Sequence, residues 1–146
     1  MPVIVSDSTS MARPIVEVAA GILLDTEGRY LLGQRPPGKP YAGYWEVPGG
    51  KIEAGDTVFI ALQRELQEEL GIQIEAGEEL MVLDHAYAHA HVRLHVSIIR
   101  QWHGTPQGCE GQNLSWELLI HPQPQVSPLL PAAWPMLERL RQHLAQ

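Results

Sequence analysis

The chain has little that would tie it to a membrane, a disulfide framework or a nucleic-acid polymer. Cys109 is the single cysteine among 146 residues. No internal disulfide can form from one thiol, and the reducing cytoplasm is the compartment expected. No apolar run approaches the roughly 20 residues of a membrane-spanning helix. The opening "MPVIVSDSTSMARP" has no charged n-region followed by a long apolar stretch, so no secretory leader is expected. Positive charge is scarce, with 10 Lys+Arg against 17 Asp+Glu and a net charge of −7. That balance excludes a surface built to grip polymeric DNA or RNA, whose affinity comes largely from cations on phosphates. It leaves room for a small phosphorylated substrate if divalent metal supplies the missing charge. There is no internal repeat, and compositional bias is confined to the Pro-rich stretch near residues 122–135.

The length suits one domain with a real core. Residues 1–13 read as a loose N-terminal extension and residues 14–146 as the domain, monomeric or homodimeric. "IVEVAAGILL" (15–24) and "RYLLGQ" (29–34) are β-rich runs, and the intervening "DTEG" predicts a hairpin. The Pro/Gly loop "RPPGKPYAGY" follows, then "WEVPGG" (45–50) as one short strand. Asp56 is the expected N-cap of a helix over Thr57–Leu70, with Gly71 closing it. "IQIE", "ELMVLDHAYA", "HVRLHVSIIRQWH" (91–103) and "LSWELLI" (114–120) read as strands. Ala133, Met136, Leu137, Leu140 and Leu144 recur at helical spacing near the end of the chain. Strands, a helix, more strands and a helix predict a mixed sheet with helices on its faces.

The stretch "RELQEELG" carries an electrostatic conflict. At about 100° per residue, Val58, Phe59, Leu62, Leu66 and Leu70 share an arc of about 120°. Glu65 and Glu68 border that arc, and Glu69 falls inside it. Like charges at i, i+3 and i+4 destabilise a helix by about 0.2–0.5 kcal/mol per exposed pair, and by more when partly buried. These three also stand in the last turns, where the helix dipole disfavours anions. Arg64 can reach Glu68 or Asp56 but cannot neutralise all three. A hard divalent cation with oxygen ligands, Mg²⁺ or Mn²⁺, resolves the conflict; a solvated charged face is the plain alternative.

Read from Gly50, "GKIEAGDTVFIALQRELQEELGI" resembles the signature of the Nudix hydrolases. Of the nine specified positions, eight match: Gly50, Arg64, Glu65, Leu66, Glu68, Glu69, Gly71 and Ile72. The ninth has Asp56 in place of glutamate. The surrounding "WEVPGGKIEAGD…ALQRELQEELGI" is similar to the MutT-type nucleoside triphosphate pyrophosphohydrolases. The resemblance implies an α/β/α sandwich around a mixed sheet. It implies that Glu65, Glu68 and Glu69, with the Gly49 carbonyl, hold Mg²⁺ (Mn²⁺ as an alternative), and that Arg64 orients a glutamate. Glu110 in "GCEGQ" sits where a further acidic ligand or base is expected. Metal-activated water would then attack a substituted phosphorus of a nucleoside triphosphate, releasing monophosphate and pyrophosphate. Glu65 or Glu110 would take the proton.

The substrate contacts that follow from the resemblance are Arg35, Lys39, Glu46, Gly50, Lys51, Tyr87, His91 and Ala133, with Tyr41 and Tyr44 in the adjoining loop. "HAYAHAHVRLH" alternates His and Tyr with Ala and aliphatics. This predicts a strand or hairpin with a polar face lining the cleft, or facing solvent, and zinc is a weaker reading for want of partner spacing. Ala133 stands where MutT-type enzymes that select oxidised guanine place an asparagine. Discrimination there would pass to backbone groups around Leu130–Ala133 or to Trp134. The resemblance favours 8-oxo-dGTP as substrate. Nucleotide sugars, dinucleoside polyphosphates or non-catalytic nucleotide sensing are the alternatives.

Overall fold

The computed structural model describes residues 14–88 and 90–146; the extension read over residues 1–13, and His89, lie outside the described residues. Its elements are β1 (Ile15–Leu23), β2 (Arg29–Gln34), β3 (Trp45–Glu46), β4 (Gly49–Lys51), α1 (Val58–Leu70), β5 (Glu78–Ala86), β6 (His91–Ile99), β7 (Leu114–Leu118) and α2 (Ala133–Leu144). They form two sheets, ordered β4-β1-β6-β5 and β3-β2-β7. β1 runs parallel to β6, from Ile15 opposite His91 to Leu23 opposite Ile99, and every other ladder is antiparallel.

Residue alternation explains why Val18–Leu23 of β1 and Tyr30–Gly33 of β2 carry no charged side chain. Ala19 and Leu23 of β1, with Leu31 of β2, pack against Ala61, Leu62, Leu66 and Leu70 of α1. Ala20 and Ile22, with Tyr30 and Leu32, turn the other way and meet Met136, Leu137 and Leu140 of α2. Successive side chains of a strand point to opposite faces, so a strand covered on both sides loses the usual apolar–polar alternation. One helix covers each face, giving the α/β/α layering that the sequence predicts. No helix among the described residues is long and apolar enough to cross a membrane.

The structure revises several local expectations. The "DTEG" turn closes through the Asp25 carboxylate, which accepts the backbone N–H groups of Glu27 and Arg29. The hairpin then ends after the single Leu24–Tyr30 bridge, because β4 occupies the β1 edge along residues 18–20. "WEVPGG" is two strands in different sheets, split at Val47–Pro48. "IQIE" contributes one isolated bridge, Gln73 to His103, in place of a strand. The cap of α1 is Thr57, whose Oγ1 accepts the Ile60 N–H at 3.1 Å. Asp56 is drawn elsewhere, accepting the Glu53 N–H and ion-pairing with Arg64. Gly71 terminates the helix in the left-handed region as expected, at φ 71°. In α2, Leu144 is exposed, whereas the other four apolar positions are buried.

The seating of α1 on β1 depends on Gly21. A Cβ there would stand 3.2 Å from Leu62 and 3.4 Å from Leu66, so glycine lets the helix approach this closely. Leu66 is fully buried at the centre of the contact, one residue from Glu65. Leu66→Ala is expected to cost about 2–5 kcal/mol through lost burial and the cavity left behind. Urea denaturation followed by circular dichroism measures it, as a lower midpoint with an unchanged slope.

Candidate active site

The α1 carboxylates stand where the wheel places them, but burial sorts them. Glu68 is exposed, whereas Glu65 and Glu69 are half-buried. Glu65 lies across the backbone of Gly50, so that a Cβ on Gly50 would fall inside the Glu65 carboxylate. Gly49 is required for a different reason, because its Cβ would collide with the Ala19 carbonyl across the β1–β4 ladder. The two glycines thus serve the packing of protein on protein: Gly49 seats β4 on β1, and Gly50 makes room for Glu65.

Glu65 and Glu69 share a hydrogen bond. Two carboxyl groups can do so only if one keeps a proton. Burial is the main reason that the Glu69 carboxyl is pushed up to about 9, and the charges of Glu46, Glu110 and Glu65 add to it. Glu65 is also raised, by burial first and then by the charge of Glu68. Glu46 on β3 is raised by burial, partly offset by Arg35 and Lys39. Glu69 therefore feels the charges of Glu46, Glu65 and Glu110, although they come from β3, α1 and the β6–β7 loop.

Arg64 pairs with Asp56 at 2.7 Å, donates to the Lys51 carbonyl at 3.0 Å and stands 3.6 Å from Glu65. The shorter aspartate at position 56 thus still reaches the guanidinium, whose hydrogen bond holds the Asp56 carboxyl below its usual range. Arg64 buttresses the loop before α1 and flanks Glu65; Glu68, its neighbour at i+4, is not its partner.

Glu110 is brought in by the β6–β7 loop, which closes on the C-terminal end of α1. The backbone N–H of Gln107 donates to the Leu70 carbonyl and that of Cys109 to the Glu69 carbonyl, each at 3.0 Å. These carbonyls have no partner within the helix, so the loop satisfies them as a cap would. Cys109 is exposed and free.

On the other side of β3, Arg35 donates to Glu46 at 3.1 Å and to the Pro40 carbonyl at 2.7 Å, bracing its own loop. Lys39 and Lys51 are exposed. Tyr41 takes φ 61°, a left-handed conformation uncommon for a side-chain-bearing residue, and packs edge-on to Tyr44 and Tyr87. His85 lies 4.2 Å from Tyr87. The Tyr87 hydroxyl accepts the Ala132 N–H at 3.3 Å. Ala133 is buried, 2% exposed, and its own N–H donates to Leu130. The N–H groups of Leu130 and Trp134 are likewise engaged, with Trp45 and Pro131, so no backbone donor in residues 130–134 is spare. The Trp134 side chain, also expected to replace an asparagine here, is half-exposed.

The polar residues of β6 face elsewhere. His95 meets Glu17 at 2.7 Å, Arg93 bridges Glu17 and Asp84, and His91 stands 3.8 Å from Asp84. His91 shares that face without joining its ion pairs: Asp84 lies beyond hydrogen-bonding reach, and the buried His91 Nε2 has no hydrogen-bond partner among the described residues. Of the described residues of "HAYAHAHVRLH", His85 and Tyr87 join the tyrosine cluster. Among the described residues, no three His, Cys, Asp or Glu side chains are already closed into a ligand set, at this face or at the carboxylates.

Two features are invisible to pattern reading. Buried Glu117 of β7 accepts the Gln125 N–H at 2.7 Å and so anchors the connection to Pro128, whose carbonyl receives the Trp45 N–H. The Asn113 amide donates to Gln34 at 2.8 Å, joining the β6–β7 loop to the end of β2. A cavity of about 410 Å³ lies between those loops, lined by Gln34, Arg35, Gly111, Gln112 and Asn113. A larger one, about 680 Å³, lies between Glu75–Glu78 and Arg100–His103 and contains none of the four converging glutamates.

Comparison with known proteins identifies the family. Residues 15–140 match the NUDIX domain. The chain is 38% identical over 125 residues to the CTP pyrophosphohydrolase of Escherichia coli K12, covering 85% of this chain and 90% of that protein. It is 38% identical over 106 residues to the 8-oxo-dGTP diphosphatase of Haemophilus influenzae, covering 73% and 78%. The crystal structure of a MutT NUDIX hydrolase from Burkholderia pseudomallei superimposes with a TM-score of 0.78 at 30% identity, over 87% of this chain and 98% of that one. With the signature helix, its acidic cluster and the α/β/α layering all in place, the chain belongs to the Nudix hydrolase family and is of the MutT type.

Proposed function

We propose that Glu65, Glu68, Glu69 and Glu110, with the Gly49 carbonyl, hold a divalent cation, Mg²⁺ or Mn²⁺, against the phosphates of a nucleoside triphosphate. The observation that carries this reading is the convergence of the half-buried Glu65 and Glu69 carboxyls beside Gly49 and Gly50, with the β6–β7 loop bonded to the Glu69 carbonyl and so bringing Glu110 to the same turn. The donors are all hard oxygens, which suit these cations. When bound, such a cation neutralises phosphate charge and acidifies water. Glu65 or Glu110 accepts the proton of the attacking water, and Arg64 holds Glu65 in place. Arg35 and Lys39 supply the positive charge that the rest of the chain lacks, with Lys51 at the end of β4. Gly50 keeps the approach to Glu65 open. The half-buried Tyr41, packed edge-on against the buried Tyr87, borders the space for the base, and the small Ala133 leaves the purine edge without a side-chain amide. The lone Cys109 needs no nucleophilic role.

The substrate favoured is an oxidised purine deoxynucleotide such as 8-oxo-dGTP, cleaved to monophosphate and pyrophosphate. The relation to the CTP pyrophosphohydrolase supports a second reading, the same cleavage on a pyrimidine triphosphate. Incubation with Mg²⁺ and a panel of 8-oxo-dGTP, dGTP, CTP, ADP-ribose and dinucleoside polyphosphates separates them. Pyrophosphate from the triphosphates alone is expected, and turnover confined to the diphosphate derivatives rejects the reading. Glu65→Gln is expected to lower kcat by about 10²–10⁴-fold if Glu65 is the base, and a loss below tenfold moves that role to Glu110.

The Glu69 proton makes cation binding pH-dependent. Its pKa in the fold lies above the ordinary carboxyl value of 4.5. Below pH 4.5 both folded and unfolded forms keep the proton; as pH rises from 4.5 to about 9, the unfolded chain releases it first and the metal-free fold loses stability. Cation binding at pH 7.5 is expected to expel this proton. Calorimetry in buffers of different ionisation enthalpy measures the release, which Glu69→Gln should abolish.

A further inference from the structure

We propose that Gln112 is the positioning residue that fixes Glu110 against the metal-binding turn of α1. The inference rests on the role proposed above for Glu110. Glu110 is exposed and lies in a loop, so nothing in its own side chain holds it in place. Two residues on, the half-buried Gln112 uses both ends of its amide. Its Oε1 accepts the Glu110 backbone N–H at 2.9 Å, and its Nε2 donates to the Glu69 carbonyl at 3.0 Å. One side chain therefore joins the backbone of the fourth carboxylate to the backbone of the third. A glutamine suits this task because its amide carries a donor and an acceptor side by side on a reach of two methylenes.

The loop is shaped around this link. Gly108 comes so close to the Gln112 carbonyl that a Cβ there would overlap it. Gly111 takes φ 81°, which lets the chain reverse between Glu110 and Gln112 with no Cβ penalty. The Gly111 N–H donates to the Gly108 carbonyl, and the Cys109 N–H reaches the same Glu69 carbonyl that Gln112 reaches. Cys109 ties the loop to the helix before Glu110, and Gln112 ties it after. Deleting the second tie leaves Glu110 in the loop but frees its backbone to swing away from Glu69. Groups that orient a metal's direct ligands typically change affinity or activity by about 10–100-fold when removed.

The test is a double-mutant cycle with Gln112→Ala, Glu110→Gln and their combination. Four quantities are read: the Mg²⁺ concentration for half-maximal activity, kcat, the nucleotide KM at saturating metal, and Mn²⁺ affinity by electron paramagnetic resonance. Gln112→Ala is expected to raise the Mg²⁺ requirement and the Mn²⁺ dissociation constant about tenfold or more. The nucleotide KM at saturating metal should stay within about twofold, because no group facing the base is touched. In the Glu110→Gln background the same substitution should change each quantity by less than about twofold, since the residue it positions is already disabled. An equal penalty in both backgrounds overturns the proposal and leaves Gln112 a mere cap of α1. A silent Gln112→Ala beside an impaired Glu110→Gln also overturns it while leaving the role of Glu110 intact. A Glu110→Gln variant equal to wild type refutes that role itself. If Gln112→Ala melts the loop, Gln112→Asn repeats the cycle. Its amide is one methylene too short to span both partners, and the same coupling with Glu110→Gln is expected.

Discussion

The contact on which the site depends is the passage of the Glu65 carboxylate over the bare backbone of Gly50. The leucine stripe of α1 seats the helix on β1, and Gly21 sets how close it comes. At that separation Glu65 and Glu69 are half-buried while Glu68 reaches solvent. Glu65 passes over position 50, where a methyl group would overlap its carboxyl. Packing energy from the apolar face thus holds an acidic face in partly dehydrated surroundings. Such a cluster of carboxylates is an expense to stability.

Electrostatics and topology reinforce one another. Glu46, Glu65 and Glu110 come from three separate parts of the chain, and the charge of each raises the cost of ionising Glu69. The parallel pairing of β1 with β6 delivers the β6–β7 loop to the C-terminal end of α1, where its N–H groups meet carbonyls that the helix leaves unpaired. Capping the helix and presenting Glu110 are therefore one structural event. On the opposite side, β3 and the segment from Pro128 to Ala132 are bonded through Trp45, which places the tyrosine cluster beside Glu46. Glu117 stabilises that connection from within the core.

Much of the candidate site was legible because spacing along a helix is rigid. Arg64, Glu65, Glu68 and Glu69 are fixed relative to one another by the helical repeat, so a wheel locates them before any tertiary contact is known. The roles of the glycines were less legible. Gly49 and Gly50 look alike in "PGG", yet one answers to the Ala19 carbonyl and the other to Glu65. Asp56 illustrates the same difficulty: a good N-cap by residue type, it is taken by Arg64, and Thr57 serves instead. His91 reads as part of a uniform strip with Tyr87, but the strand pleat puts it on the face of Arg93 and His95.

Composition, the helical repeat and the signature spacing by themselves determined the layered α/β class, the acidic helix face, the family and the chemistry its carboxylates suit. These properties are local, carried by residues within a few turns of one another or by sums over the chain. Tertiary structure alone decided which carboxyl keeps its proton, how Gln112 ties Glu110 to Glu69, and that Ala133 is buried with its neighbouring amides already bonded. Each of these depends on groups brought together from distant positions, where burial and hydrogen-bond partners are set by how the sheets and helices pack.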